Sequence, residues 1–261
     1  MNVSFIDHVL RLSLNRPQVL NAFDGVMVRE LLSALHEYAA NSSLRAVIIS
    51  GEGKAFCSGG DLKWLKSMDE GGFEKIREGS LELVHLFETI RDYRVPVIAR
   101  VHGDAFGGGA GLVCACDIVV MDETAKMCFP EVRLGLVPAV ISPFVIAKIG
   151  ESRARELFFT GRRFDAREAQ VFGIAHFVCA GENELDHKIS EIIEMLFKGA
   201  PGALTDAKKL FSQLAAERPE GVGNLTARLL ATRRMSNEGQ EGMKALLEKR
   251  VPSWVKNDSD S

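Results

Sequence analysis

Two short glycine-rich stretches hold backbone amides that could polarise one oxygen atom. The first is Lys54-Ala55-Phe56-Cys57-Ser58-Gly59-Gly60-Asp61-Leu62-Lys63. The second is Val101-His102-Gly103-Asp104-Ala105-Phe106-Gly107-Gly108-Gly109-Ala110-Gly111. Glycine at such a position lets a ligand approach the main chain closely. Where a helix follows, its N-terminus favours negative charge. One N–H from each loop, gripping a single oxygen as charge develops on it, makes an oxyanion hole. Removing one such donor typically costs about 2.7–4 kcal/mol of barrier.

One carboxylate stands out beside these loops. Glu131 lies in the apolar run Met127-Cys128-Phe129-Pro130-Glu131-Val132-Arg133-Leu134-Gly135-Leu136-Val137-Pro138. In an apolar pocket its pKa would rise, making it a usable general acid or base. The local sequence leaves a second reading open: a surface Glu that begins a turn and pairs with Arg133. Asp61 reads as the N-cap of a helix starting at Leu62 rather than as a catalyst. Lys63, one turn into that helix, could meet a phosphate or simply be solvated. His102 reads as structural, between strand and turn. The remaining histidines are scattered, and zinc-ligand patterns are missing.

Three familiar motifs are excluded by direct comparison. At Gly53-Lys54 a P-loop would need Gly at position 48, which is Ile48, and Ser or Thr at 55, which is Ala55. Leu112 occupies the third glycine position of a dinucleotide fingerprint. Phe56 stands where a nucleophile elbow at Ser58 needs Gly.

The elements that must position these loops follow from periodicity. Apolar runs Ala46–Ser50 and Pro96–Val101 read as buried strands, each leading through a glycine loop toward a helix. An earlier strand spans His8–Leu14. Asp24 caps a helix that runs to Ala40, and a long helix spans Phe73–Tyr93. A helix over Gly107–Ala115 leads to strands at Asp117–Met121 and Lys126–Phe129. Helix signals then dominate: Ala139–Ile149, Ser152–Thr160, Ala166–Phe172, Glu184–Lys198, Pro201–Ala216, Gly221–Met235 and Glu238–Arg250, interrupted by a short strand at His176–Val178. Gly199-Ala200-Pro201-Gly202 divides an α/β body, 1–199, from a helical region, 200–261. The latter is too small for its own core and should pack on the body or on another subunit. The polar end, 257–261, reads as disordered.

Bulk composition bounds the function. A net charge of −3 argues against nucleic acid or an anionic membrane as partner. No apolar run is long enough to span a membrane, and the N-terminus lacks a signal peptide's basic start. Cys57, Cys114, Cys116, Cys128 and Cys179 are an odd set in mostly apolar runs, which fits reduced thiols in a cytoplasm. Cys114 and Cys116 have no second pair at metal-ligand spacing and read as small buried hydrophobes.

Together these residues resemble the crotonase, or enoyl-CoA hydratase/isomerase, family over nearly the whole chain. Asn15-Arg16-Pro17-Gln18-Val19-Leu20-Asn21-Ala22 is similar to its N-terminal signature, Ala55–Lys63 to its first oxyanion loop, and Gly103–Gly111 with Cys116-Asp117-Ile118 to its second. Phe129–Gly135 resembles its Pro-Glu segment, and 241–250 its C-terminal helix. The resemblance implies an α/β fold, a stacked ββα superhelix with a helical trimerisation region, assembled as a trimer or a dimer of trimers. It implies an acyl-CoA thioester whose carbonyl oxygen is held by the Gly60 and Gly108 amides, with Glu131, next to Pro130, as acid/base. CoA would lie along Val19, Leu20, Ala22, Ser58, Asp61 and Leu62, with Lys249 near its phosphates. No cofactor is implied beyond the CoA of the substrate, and no metal.

The chain departs from the family pattern at three positions. Gln18 replaces a frequent basic residue, which removes one expected phosphate contact. A standard hydratase carries a second glutamate two residues after the triple glycine, where this chain has Gly111. Ala139 replaces the carboxylate of a dienoyl-CoA isomerase. The stretch Glu131–Phe144 with Phe106–Gly109 resembles the bacterial methylglutaconyl-CoA hydratase branch, which shares the glycine departure and belongs to leucine or isoprenoid catabolism. The expectation is a hydratase-type lyase acting on a short or branched 2-enoyl-CoA. Its rivals are an enoyl-CoA isomerase using Glu131 alone, a non-catalytic acyl-CoA-binding homologue, and a thioester hydrolase.

Overall fold

Alternating and continuous apolar runs build a six-stranded sheet that carries both glycine loops at its strand ends. The computed structural model describes residues 1–255, so the polar end read as disordered lies outside them. The chain opens with β1 (Asn2–Ile6) and β2 (Val9–Leu14), an antiparallel pair. Helix α1 (Gly25–Ala39) begins at Asp24, whose side chain accepts from the Met27 amide. Then come β3 (Ala46–Gly51), β4 (Ala55–Cys57), α2 (Leu62–Glu70), α3 (Gly72–Arg91), β5 (Val97–Val101), β6 (Asp104–Phe106) and α4 (Gly108–Ala115). The body ends with β7 (Ile118–Asp122), β8 (Lys126–Cys128), α5 (Ser142–Thr160), β9 (Arg163–Asp165), α6 (Ala166–Phe172), β10 (Phe177–Cys179) and α7 (Gly181–Lys198).

The large sheet runs β1-β2-β3-β5-β7-β10, parallel from β2 onward. A second, four-stranded sheet runs β4-β6-β8-β9. Three of its strands lie inside segments read as loops or connections: β4 in the first glycine stretch, β6 in the second, and β9 after α5. Each has three residues, too few for a period to show in sequence. The β4–β6 pair brings the two glycine loops side by side. Residues such as Leu31, Phe56, Phe87, Leu112 and Phe129 fill the core between sheets and helices.

The helices at Ala139–Ile149 and Ser152–Thr160 are confirmed as two segments meeting at Gly150, with φ +71°. The first begins at Ser142, because residues 131–134 and the turn after them make a 3-10 helix and an irregular connection. Helices α8 (Pro201–Ala216), α9 (Pro219–Met235) and α10 (Asn237–Leu247) complete the described chain. Neither α8 nor α9 buries a residue. Arg233 of α9 pairs with Asp206 of α8 and Glu238 of α10, each at 3.0 Å.

Candidate active site

The two glycine loops meet main chain to main chain. A Cβ at Gly59 would lie 3.0 Å from the Phe106 carbonyl oxygen and 3.6 Å from the Gly108 nitrogen. A Cβ at Gly109 would collide with the Cys57 carbonyl, so only glycine permits that approach. Gly59, Gly107 and Gly109 are buried, whereas Gly60 and Gly108 between them remain partly open. Among the described residues, neither the Gly60 nor the Gly108 amide donates a hydrogen bond. Gly108 opens α4, so its N–H belongs to the unpaired first turn of a helix. Two free, partly open donors on abutting loops are what an oxyanion site requires.

A polar network behind the first loop fixes it. Arg16 donates to the Ala22 carbonyl at 2.7 Å and to Asp61 Oδ2 at 2.8 Å, and pairs with Asp24 at 3.2 Å. Buried Asn21 accepts from the Arg16 amide and donates to the Glu52 and Ala55 carbonyls. The Phe23 amide donates to Gly59, and the Asp61 amide to Phe23, both at 2.7 Å. Asp61 accepts from the Lys63 and Trp64 amides as the cap of α2. Burial alone would raise the Asp61 carboxyl. The hydrogen bonds from Arg16 and those two amides outweigh it and hold it below the usual carboxylate range.

The same network sets the expected CoA-binding residues along one edge. The Ser58 amide donates to Leu20 at 3.0 Å, and Ser58 Oγ to the Val19 carbonyl at 3.3 Å. Leu20 and Asn21 take positive φ of 53° and 55°, which turns the chain back onto the loop. Val19, Leu20, Ala22, Ser58, Gly60 and Asp61 are therefore contiguous with one another through Phe23 and Gly59. Leu62, at the start of α2, is 80% exposed beside them. Lys249 is exposed after α10, and no hydrogen bond or ion pair joins it to either loop among the described residues.

Glu131 stands against the second loop. Its Oε1 is 3.4 Å from where a Gly107 Cβ would be, with the Pro130 ring at 3.9 Å. Its Oε2 is buried and has no hydrogen-bond partner among the described residues. Burial pushes the Glu131 carboxyl above its usual range, partly offset by a hydrogen bond from its own amide. Arg133 does not pair with it: the guanidinium donates to the Thr160 carbonyl instead. The surface-turn reading of Glu131 is thereby set aside in favour of the partly buried one. His102 Nε2 lies 3.0 Å from the Gly53 carbonyl, as a structural histidine should. All five cysteines are free and buried.

The family model of the enoyl-CoA hydratase/isomerases matches residues 5–257. The chain belongs to that family. A relative from Thermus thermophilus, a putative enoyl-CoA hydratase, is 37% identical over 247 residues, which is 95% of this chain and 97% of its own length. Pseudomonas aeruginosa AtuE, 35% identical, superposes with a TM-score of 0.94 over 98% of this chain and 99% of its own. An enoyl-CoA hydratase from Shewanella pealeana, 34% identical, gives 0.92 over 97% and 95%. This enoyl-CoA hydratase/isomerase homologue thus has the crotonase fold expected of its motifs.

The family's second glutamate has no room here. A Cβ at Gly111 would overlap Ile141 Cγ2, lie 2.8 Å from Ile141 Cβ and 3.5 Å from Phe87 Cε2. The missing carboxylate is visible in the sequence, but what fills its place is not. Ile141 lies thirty residues away, and its contact with Gly111 depends on how α5 docks on α4.

Proposed function

We propose that this family member is a hydratase-type lyase that adds water to a short or branched 2-enoyl-CoA, with Glu131 as its main acid/base. The single observation that carries the reading is the unpaired Glu131 Oε2, beside a loop whose next amide, Gly108, is also free. The Glu131 carboxylate takes a proton from water while the hydroxyl oxygen bonds to C3. Electron density moves to the thioester oxygen, held by the Gly60 and Gly108 amides. The carboxyl then returns the proton to C2, and the carbonyl re-forms. Atoms balance with one carboxylate, and burial raises its pKa toward the range that suits a general acid/base.

The chain's likeness to the methylglutaconyl-CoA hydratase branch favours a branched, carboxylated acyl group. The exposed apolar side chains of the C-terminal helices, Phe211, Leu230, Met235, Leu246 and Leu247, favour a trimer or hexamer built through residues 200–261. In such an assembly Lys249 would reach CoA phosphates across a subunit boundary. Free, buried cysteines favour a reducing cytoplasm. No described helix is long and apolar enough to cross a membrane.

The packing of Ile141 against Gly111 favours a second reading, an enoyl-CoA isomerase in which Glu131 carries a proton from C2 of a 3-enoyl thioester to C4. Supplying the pure protein with one 2-enoyl-CoA and one 3-enoyl-CoA separates them. Formation of 3-hydroxyacyl-CoA, followed by mass spectrometry, is the expected result. Conversion of the 3-enoyl to the 2-enoyl thioester, with no hydration of any thioester tested, overturns it.

A further inference from the structure

The face of α4 that leads away from the oxyanion donors is covered by apolar side chains. Gly108 and Gly111 are three residues apart on that helix and so share a face. A Cβ at Gly108 would lie 3.4 Å from Phe23 Cδ2, and one at Gly111 would meet Ile141 and Phe87. The Phe23 and Phe87 ring centroids are 6.3 Å apart, and Phe87 and Phe144 are 5.6 Å apart in an edge-on arrangement. Phe23, Phe87, Phe144 and Ile141 are all buried. They form one continuous wall.

Ile141 holds a fixed place in that wall. Its carbonyl accepts from the Phe144 and Val145 amides, both at 3.1 Å, at the start of α5. The Ser142 amide donates to Pro138, which anchors the connection from Glu131. Two elements therefore close on the side-chain position of Gly111: α3 through Phe87 and the start of α5 through Ile141. Three residues of α-helix rise about 4.5 Å. C3 of an acyl chain lies two bonds from its carbonyl carbon. With the carbonyl oxygen on the Gly108 amide, C3 and its substituents fall within reach of the wall at Gly111.

We propose that Ile141 is the specificity-determining residue for the acyl end of the substrate. This rests on the reading of Gly60 and Gly108 as carbonyl-binding amides. Ile141 bars any side chain from position 111, so no carboxylate at that position can reach C3. Its methyl groups limit what C3 can carry to hydrogen or one small apolar group. The enzyme thereby selects 2-enoyl thioesters that are unbranched or methyl-branched at C3, and rejects bulkier branching there.

The test compares dissociation constants of two unreactive saturated thioesters, butyryl-CoA and 3,3-dimethylbutyryl-CoA, on the wild type, Ile141→Val and Ile141→Ala. The wild type is expected to prefer butyryl-CoA. Ile141→Ala should shift the ratio toward the bulkier ligand by about tenfold or more, the scale on which a hydrophobic pocket reads one methylene. Ile141→Val should shift it less, and serves alone if the alanine variant does not fold. An unchanged ratio in the folded variants overturns the proposal. Turnover of crotonyl-CoA by the wild type tests the functional reading separately: activity with an unmoved ratio sinks only the role of Ile141. Failure of the wild type to bind either thioester sinks both.

Discussion

At the scale of the residue, Glu131 and the groups around it make the sharpest claims. Glu131→Gln keeps the shape and removes the proton transfer. Turnover should fall by about 10²- to 10⁴-fold, while thermal unfolding shows no loss of stability, because the wild-type carboxylate is buried without a partner for Oε2. The pH dependence follows from the sign of its shift. Burial raises the Glu131 pKa, so kcat/KM for hydration should fall as pH drops, with a midpoint above the ordinary glutamate value of about 4.3. The folded state tolerates the neutral form better, so this group's effect on stability worsens as pH rises through its folded pKa. Asp61 has the opposite sign. Its pKa is lowered, so the stability it lends is full above the unfolded value and is lost as pH falls through the folded one. Glu131 stands out in the sequence because its flanks are apolar. Its lack of a partner is not legible there, since Arg133 two residues on is an obvious one and only the turn of the 3-10 helix directs that guanidinium to Thr160.

At the scale of the element, the site depends on loops held by a few buried polar contacts. Arg16 joins the 16–24 segment to the cap of α2 through Ala22, Asp24 and Asp61. Arg16→Met should cost about 2 kcal/mol in chemical unfolding, the scale of a charged hydrogen bond left unmade. It should also lower kcat more than it raises KM, because the Gly60 amide loses its support. Gly109→Ala should fail to fold or be strongly destabilised, since its methyl would enter the Cys57 carbonyl. Far-UV and near-UV circular dichroism check that outcome. The long elements are legible in the residues themselves: the Asp24 cap, the apolar stripe of α3 and the continuous runs of β3, β5 and β7 each carry a period or a cap of their own. The second sheet is not. Strands β4, β6 and β9 have three residues each and owe their form to pairing with distant neighbours, a nonlocal cause that no window along the chain can contain.

At the scale of the whole molecule, polar contacts join the C-terminal helices to the body. Lys208 on α8 donates to the Ile90 and Val95 carbonyls and pairs with Asp117 at 2.6 Å. Trp254 Nε1 donates to the Lys198 carbonyl at 3.1 Å. The composition shift at Gly199–Gly202 is visible in the sequence, and so is the shortage of core beyond it. In the proposed trimer a second chain covers the exposed faces of α8 to α10, and one sequence alone does not reveal it. Light scattering should return a trimer or hexamer, and Lys249→Ala should raise KM for the CoA thioester with little change in kcat. Two amides from adjoining loops are proposed to take one thioester oxygen within reach of Glu131. A crystal structure with bound butyryl-CoA tests it most directly. The thioester oxygen is expected at about 2.7–3.1 Å from both the Gly60 and Gly108 nitrogens, with C2 facing the Glu131 carboxylate. A thioester oxygen bound to any other pair of groups, or a C2 turned away from Glu131, would contradict it.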